Sequence, residues 1–434
     1  MARPFRLTKL LVQSGLARFL PIARRLTDGG VDYLKYYSDA VLAAPVEEML
    51  DAAYFPAVGP EVLNLNLSAP RFESSVSLGR VTADRRGNPP AGGLPELRRA
   101  IADHYSKRDG RAVDADREVL VTHGATAAYG AVLDAFVNPG DRVVLFDPCS
   151  PLFWLGARSR RADVRWVPTS NENGQCRYSP RVLEKAMRRA KVLVLADPAN
   201  PTGACFHTEE LDHIVGLAAK YDVLIFADES FGGFRPEASR SLATLKGGEK
   251  RVLTAGSLSQ GWGLGSVRVG WLAGPRHLVQ ACALTANLHA PYVPTLCQQI
   301  AARAIAEPPE VRDDFLEKRQ YTIDRLRGLG LEPEWPAGGY FVWLNVAGLS
   351  PTGRVFAERL LKEQQVLVGP GCAFGPSGTH HVRISFAAEA GRLREGLTRL
   401  AAFVRTLRGD APETYPRPVA VEDAVEQTPV FSRA

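Results

Sequence analysis

The chain has 434 residues, 45% hydrophobic and 23% charged, a globular composition with enough apolar material for two cores and unlike that of a disordered chain. Its 53 basic and 47 acidic residues leave a net charge of +6, too dilute for a nucleic-acid surface, and clusters such as Arg158-Ser159-Arg160-Arg161 and Arg188-Arg189 read as solvated faces. No run of 18 apolar residues exists to span a membrane, and six scattered cysteines with no C-x-x-C pair point away from zinc and disulfides, toward a reducing cytoplasm.

The chain opens on MARPFRLTKLLVQSGLARFLPIARR, basic and moderately apolar, its apolar runs broken by Gln13, Ser14 and Arg18. That pattern predicts an amphipathic helix rather than a secretory signal, and residues 1–60 are expected to form an arm with helices. From about residue 117, β-rich runs alternate with helical patterns. The strands are VLVTH (119–123), RVVLFD (142–147), VRWVP (164–168), KVLVLAD (191–197), VLIFAD (223–228), RVLTAG (251–256) and VGWLAG (269–274). Most are near-continuous apolar runs, as strands buried on both faces require. Helical stretches such as LDHIVGLAAKY (211–221) separate several of them, so an α/β domain with a helix-covered sheet is expected over 61–305. After about residue 305 a polar helix, VRDDFLEKRQYTIDRLRGLG, leads to strands GYFVWLNV and HHVRISFA with a helix at 352–364 between them. These predict a smaller α+β domain over 306–408. The Pro- and Glu-rich tail, 409–434, is expected to be mobile.

Four turn segments fall at the carboxyl ends of the predicted strands, where open α/β sheets bind ligands. Thr122-His123-Gly124-Ala125-Thr126 runs a strand through glycine into a helix, whose start offers backbone N–H groups and a favourable dipole to a phosphate, although any βα turn can use glycine this way. Asp197-Pro198-Ala199-Asn200-Pro201-Thr202-Gly203 is a restricted turn that could hold Asn200 with its amide free to donate, or could simply be rigid. Asp228 ends a buried strand, where a carboxylate is costly without a cation or donor; a protonated pyridine nitrogen would serve, and a helix N-cap is the plainer alternative. Ser257-Leu258-Ser259-Gln260-Gly261 leads through two more glycines to Arg268, combining close backbone approach with two hydroxyls and a guanidinium suited to phosphate.

These four segments, in this order and spacing, resemble the class I/II aminotransferases of fold type I, which use pyridoxal 5′-phosphate. The resemblance covers roughly residues 60–405 and extends to Gly93-Leu94-Pro95-Glu96-Leu97-Arg98, Asn138-Pro139-Gly140-Asp141 and Val382-Arg383-Ile384-Ser385. It implies a large domain with a mostly parallel sheet and a smaller α+β C-terminal domain. It also implies a homodimer whose cofactor site is completed across the subunit boundary, and a small amino or keto acid as the binding partner. Position by position, it maps the phosphate cup to Ala125, Thr126, Ser257, Ser259 and Arg268. The pyridine-nitrogen partner becomes Asp228 and the donor to the ring oxygen Asn200. Arg383 matches the arginine that grips a substrate α-carboxylate, a bidentate task suited to a guanidinium fork; an interdomain salt bridge is its alternative role.

The resemblance breaks at the centre of the chemistry. The Schiff-base lysine should stand eight residues before Arg268, and Gln260 stands there. An amide has no nucleophilic nitrogen and no useful basicity, so it can neither form an imine nor shuttle a proton. Lys246 and Lys250 precede the strand at its far end. The residue expected to stack on the ring is Ser150, the tyrosine expected three after Asp228 is Phe231, and the tyrosine expected five before Gly93 is Asn88. Three readings follow. The chain binds pyridoxal or pyridoxamine 5′-phosphate, or another phosphorylated ligand, without a covalent bond; or it is a conventional aminotransferase with position 260 engineered or rescued; or it is a catalytically dead binding or regulatory pseudoenzyme. Retention of Asp228, Asn200, Thr126, Ser257 and Arg268 favours an occupied cup, since an unpartnered buried carboxylate costs several kcal/mol.

Overall fold

The computed structural model describes residues 87–409 apart from 237–238 and 309–311, together with 27–28, 31–32, 59, 61–67 and 69–70. The expected N-terminal helix and the tail from 410 onward lie outside the described residues.

Eight strands form the main sheet. In chain order they are β1 (Val119–Thr122), β2 (Arg142–Asp147), β3 (Asp163–Glu172), β4 (Gln175–Tyr178), β5 (Ala190–Ala196), β6 (Leu224–Asp228), β7 (Val252–Ser257) and β8 (Gly270–Ala273). Their spatial order is β1-β8-β7-β6-β5-β2-β3-β4. Strands β7, β6, β5, β2 and β3 run parallel, and β8 runs against both β7 and β1. The unbroken apolar runs have a direct cause. Val143 and Leu145 of β2 enter a core with Val192, Val194 and Phe226, while Val144 and Phe146 enter another with Leu193, Leu195 and Ile225. A strand feeding two cores cannot alternate apolar with polar. Helices Ala125–Phe136, Pro151–Ser159 and Arg276–His289 cover the first face, and Pro180–Met187 and Thr208–Tyr221 cover the second.

β3 runs well beyond the expected 164–168, and β4 was not anticipated. The two are joined through Asn173 (φ 54°) and Gly174 (φ 92°), with Glu172 opposite Gln175. Two left-handed residues are what a tight two-residue hairpin demands.

In the C-terminal part, strands β9 (Phe341–Asn345), β10 (Gly369–Pro370) and β11 (His381–Ser385) make an antiparallel sheet ordered β9-β11-β10. Helices Arg312–Arg327, Gly353–Gln364 and Ala390–Arg408 accompany it, and Ile323, Phe356, Leu360, Leu397 and Phe403 share one core with Phe341 and Ile384. Leu63 and Leu65 belong to this same core. Leu63–Asn64 pairs in parallel with Val366–Leu367, and the Ser385 amide donates to the Leu65 carbonyl at 2.7 Å. A segment early in the sequence therefore braces the C-terminal sheet.

Candidate active site

The strand register gathers the four turn segments at one edge of the main sheet. Thr122, Gly270 and Ser257 form one row across β1, β8 and β7, and Ala196, Asp228 and Ala255 form another across β5, β6 and β7. Because β8 is antiparallel, its amino end lies at this edge, which delivers Arg268 to the same place as the carboxyl ends of the other strands.

Gly124 (φ 83°) caps the helix Ala125–Phe136, whose first-turn N–H groups point out of the helix start. Arg268, itself left-handed at φ 56°, donates to the Ser259 hydroxyl (3.3 Å), the Gly265 carbonyl (3.2 Å) and the His123 carbonyl (3.4 Å). A Cβ on Gly124 would lie 2.8 Å from Arg268 Nη2, and one on Gly270 only 2.5 Å from the Gly124 carbonyl carbon. Two glycines thus keep a cradle open between helix start and guanidinium. Ser257 is buried and its hydroxyl accepts from the Ser259 amide at 3.1 Å, capping the short helix Leu258–Gly261. Thr126 and Arg268 are exposed, and Ala125 is half-buried.

The other end of the site is built on β5 and β6. Asn200 Oδ1 accepts from Arg383 Nη1 at 2.9 Å, so the amide's donor side is turned away from that arginine. Arg383 is 5% exposed; its other nitrogen donates to Asn66 Oδ1 (2.6 Å) and the Asn66 carbonyl (3.2 Å). The guanidinium lies 4.2 Å from the Phe341 ring centre and 4.7 Å from that of Phe374. Ring faces favour a cation there without competing for its hydrogen bonds. Asn66 carries no motif and was missed by sequence reasoning. Asp228 Oδ1 accepts from the Ser230 amide at 2.9 Å, a local turn of the kind the N-cap alternative anticipates. Burial pushes its carboxyl above the ordinary range, opposed but not cancelled by the Ser230 hydrogen bonds. No described lysine or arginine forms an ion pair with it.

Gln260 lies on the helical turn after β7, half-buried, and its Oε1 is buried with no hydrogen-bond partner. Lys250 closes a short helical turn just ahead of β7, at the opposite end of that strand, with Lys246 two residues before the turn. Six strand residues span roughly 20 Å at about 3.3 Å each. Ser150 is a buried residue at the start of the helix Pro151–Ser159. Phe231 packs edge-on against Tyr340 (5.2 Å) and Phe341 (5.6 Å), filling its place with ring and no hydroxyl. Asn88 is exposed. Elsewhere, His207, Glu209 and Glu210 come close enough to share a cation, but Glu210 already accepts from the His207 amide (3.0 Å) and from Gln175 and Arg177, closing a capping box.

Residues 61–400 match the sequence profile described as aminotransferase class I and II. The chain is 31% identical over 367 residues to an arginine–pyruvate transaminase of Pseudomonas aeruginosa, covering 81% of this chain and 92% of that protein. It is 27% identical over 381 residues to an aspartate aminotransferase of Pyrococcus abyssi, covering 85% and 97%. The structure of an aspartate aminotransferase from Thermotoga maritima superimposes with a TM-score of 0.76 at 25% identity, covering 85% of this chain and 100% of that one. The chain belongs to the class I and II aminotransferase family, with the α/β fold of type I that the sequence implied. Members of that family use pyridoxal phosphate.

This chain's own residues fit such a group at two places and not at a third. The glycine-lined cradle at Gly124 and Arg268 suits a phosphate, and the Asp228 carboxyl, without a cation, suits a protonated ring nitrogen. Gln260 offers no atom that could bond covalently to an aldehyde carbon.

Proposed function

We propose that the protein holds a pyridoxal- or pyridoxamine-phosphate-type ligand non-covalently, together with an amino- or keto-acid carboxylate, and does not carry out ordinary transamination. The observation that carries this reading is Gln260, unreactive and with an unsatisfied buried acceptor, at the position the resemblance gives to the Schiff-base lysine. Ala125, Thr126, Ser257, Ser259 and Arg268 hold the phosphate; Asn200 donates to the ring oxygen; Asp228 keeps the ring nitrogen protonated; Arg383 forks onto the carboxylate. When bound, the cofactor supplies an electron-withdrawing ring. Gln260 Oε1, a buried acceptor lacking a donor, would suit an amine-bearing form of the cofactor better than the aldehyde. Without a basic nitrogen at position 260, no described side chain there moves a proton from the substrate carbon.

The working unit in this reading is a cytoplasmic homodimer, the site being completed by the partner. Leu284 and Leu288 on the helix Arg276–His289 are 72% and 82% exposed, and Tyr292 and Leu296 follow at 42% and 48%, an apolar face that a second copy would cover.

Borohydride reduction of protein loaded with pyridoxal 5′-phosphate, followed by peptide mass spectrometry, tests the reading. The expected result is ligand-dependent absorbance in the near ultraviolet to violet with no pyridoxyl adduct on a pocket lysine. An adduct would restore the conventional aminotransferase, and a failure to bind any such ligand would leave the scaffold as a pseudoenzyme.

A further inference from the structure

We propose that Arg235 is a positioning residue that sets Asn200 and Asp228 at a fixed separation. The proposal rests on the reading above, in which those two side chains would hold two different polar atoms of one ring system.

Arg235 belongs to none of the four motifs and lies just after the short helical turn Gly232–Phe234. It is 8% exposed overall and buried among charges. Its Nε and Nη2 both donate to the Asp197 carbonyl, at 3.1 and 2.9 Å. Nη2 also lies 3.4 Å from Asp197 Oδ2 and 3.2 Å from Glu229 Oε1. Asp197 is the first residue beyond β5 and opens the turn that carries Asn200. Glu229 is the first beyond β6 and follows Asp228 directly. One guanidinium therefore grips the roots of both ring-binding turns.

The grip falls where regular sheet bonding stops. The Asp197 amide still donates to the Asp228 carbonyl at 3.1 Å, and the Glu229 amide to the Ala255 carbonyl at 2.9 Å; past these the chains diverge. The Asn200 turn is closed on itself by Ala199 to Ala204 and Gly203 to Ala199, both 2.8 Å, and by the Phe206 amide on Asp197 Oδ1 at 3.2 Å. Its far side is tied to the Gly338 amide and to the β3–β4 hairpin, through Gly203 and Cys205, and Arg235 fixes the end at which it leaves β5. On the other side, the Ser241 hydroxyl donates to Glu229 Oε1 at 2.6 Å, and Arg108 donates to Oε2. Burial alone would raise the Glu229 carboxyl, but Arg235 and Arg108 hold it down at about 2.

A buried arginine shared by Asp197 and Glu229, with the half-buried Arg108 on Glu229, makes a poor source of net stability, since desolvation offsets much of the attraction. Such groups are better suited to specifying geometry, and the fork onto a main-chain carbonyl is a geometric constraint that neither a lysine nor an apolar side chain reproduces. The phosphate cradle, on β1, β7 and β8, makes no contact with Arg235 among its described hydrogen bonds and ion pairs. Ring binding and phosphate binding should therefore separate.

Titration calorimetry on wild type, Arg235→Met and Arg235→Lys, with pyridoxamine 5′-phosphate and with inorganic phosphate, tests this alongside thermal melting. Both variants should bind pyridoxamine 5′-phosphate about tenfold or more weakly while inorganic phosphate changes by less than about threefold. A lowered melting temperature with an unchanged ratio of the two affinities would reduce Arg235 to a structural role and overturn the proposal. Should Arg235→Met fail to fold, Arg235→Lys decides alone, because it keeps a charge opposite Glu229 but cannot fork onto the Asp197 carbonyl. Wild-type protein that binds pyridoxamine 5′-phosphate no better than inorganic phosphate would overturn the site reading itself, and this proposal with it.

Discussion

The two halves of the candidate site have fared differently. At the phosphate end, Gly124, Ser257, Ser259, Arg268 and Gly270 fit together so closely that a single methyl on either glycine would collide with backbone or guanidinium. At the other end, Gln260, Ser150 and Phe231 stand where the proposed reading places a nucleophile, a ring stack and a hydroxyl in the family's pattern. In that reading the close-fitting positions of the cradle are kept where a phosphate would sit, while the reactive groups are lacking. The contrast separates holding from reacting within one pocket.

The sharpest way to break that contrast is Gln260→Lys. If only the nucleophile is missing, this variant should go from no reducible adduct to a nearly stoichiometric one, read by borohydride trapping and mass spectrometry. An adduct without turnover would show that Ser150 and Phe231 limit the reaction next. Loss of the cradle comes second. Arg268→Ala removes charge-assisted hydrogen bonds typically worth about 1.5–3 kcal/mol each, so affinity for pyridoxamine 5′-phosphate should fall ten- to a hundredfold or so by calorimetry. Equal binding by this variant and wild type would make the cradle a relic. Third, Asp228→Asn should weaken only ligands with a protonatable ring nitrogen, by about tenfold, leaving inorganic phosphate unchanged.

The smallest effect lies outside both halves and supplies their background in pH experiments. Glu334 sits at the seam between the β3–β4 hairpin and the C-terminal sheet, its amide donating to the Trp343 carbonyl at 3.0 Å. Burial raises its carboxyl from 4.5 to about 7, with a hydrogen bond from Asn171 opposing. The folded protein thus keeps a proton that the unfolded chain releases. The contribution is fully present below about pH 4.5 and is lost as pH rises toward about 7. Glu334→Gln should flatten that loss, raising the melting temperature near neutral pH by a few degrees relative to wild type while changing little in acid. Parallel melting curves at all pH values would contradict the assignment.

The sheet was legible because β2, β5 and β7 feed two cores at once and so carry unbroken apolar runs. The site was legible because Gly124, Asn200, Asp228 and Arg268 each punctuate a strand end, and the register then brings those ends into adjoining rows. The β4 strand was missed although Asn173-Gly174 announces a hairpin, since Gln175–Tyr178 has only four residues, too short for the alternation of Cys176 and Tyr178 with polar neighbours to stand out. Asn66 and Arg235 were illegible for a deeper reason. Their roles depend on partners 317 and 38 residues away, and nothing in the local pattern of either names those partners.

Asn66 has a practical consequence. It reaches Arg383 from a stretch of chain that precedes every strand of the main sheet. A fragment begun after residue 70, or a protein nicked there by a protease, would retain the whole eight-stranded sheet and the phosphate cradle. It would lose one of the acceptors that aim Arg383, and with Leu63 and Leu65 part of the core of the C-terminal sheet. Such a product could look folded by circular dichroism and still discriminate poorly between carboxylates.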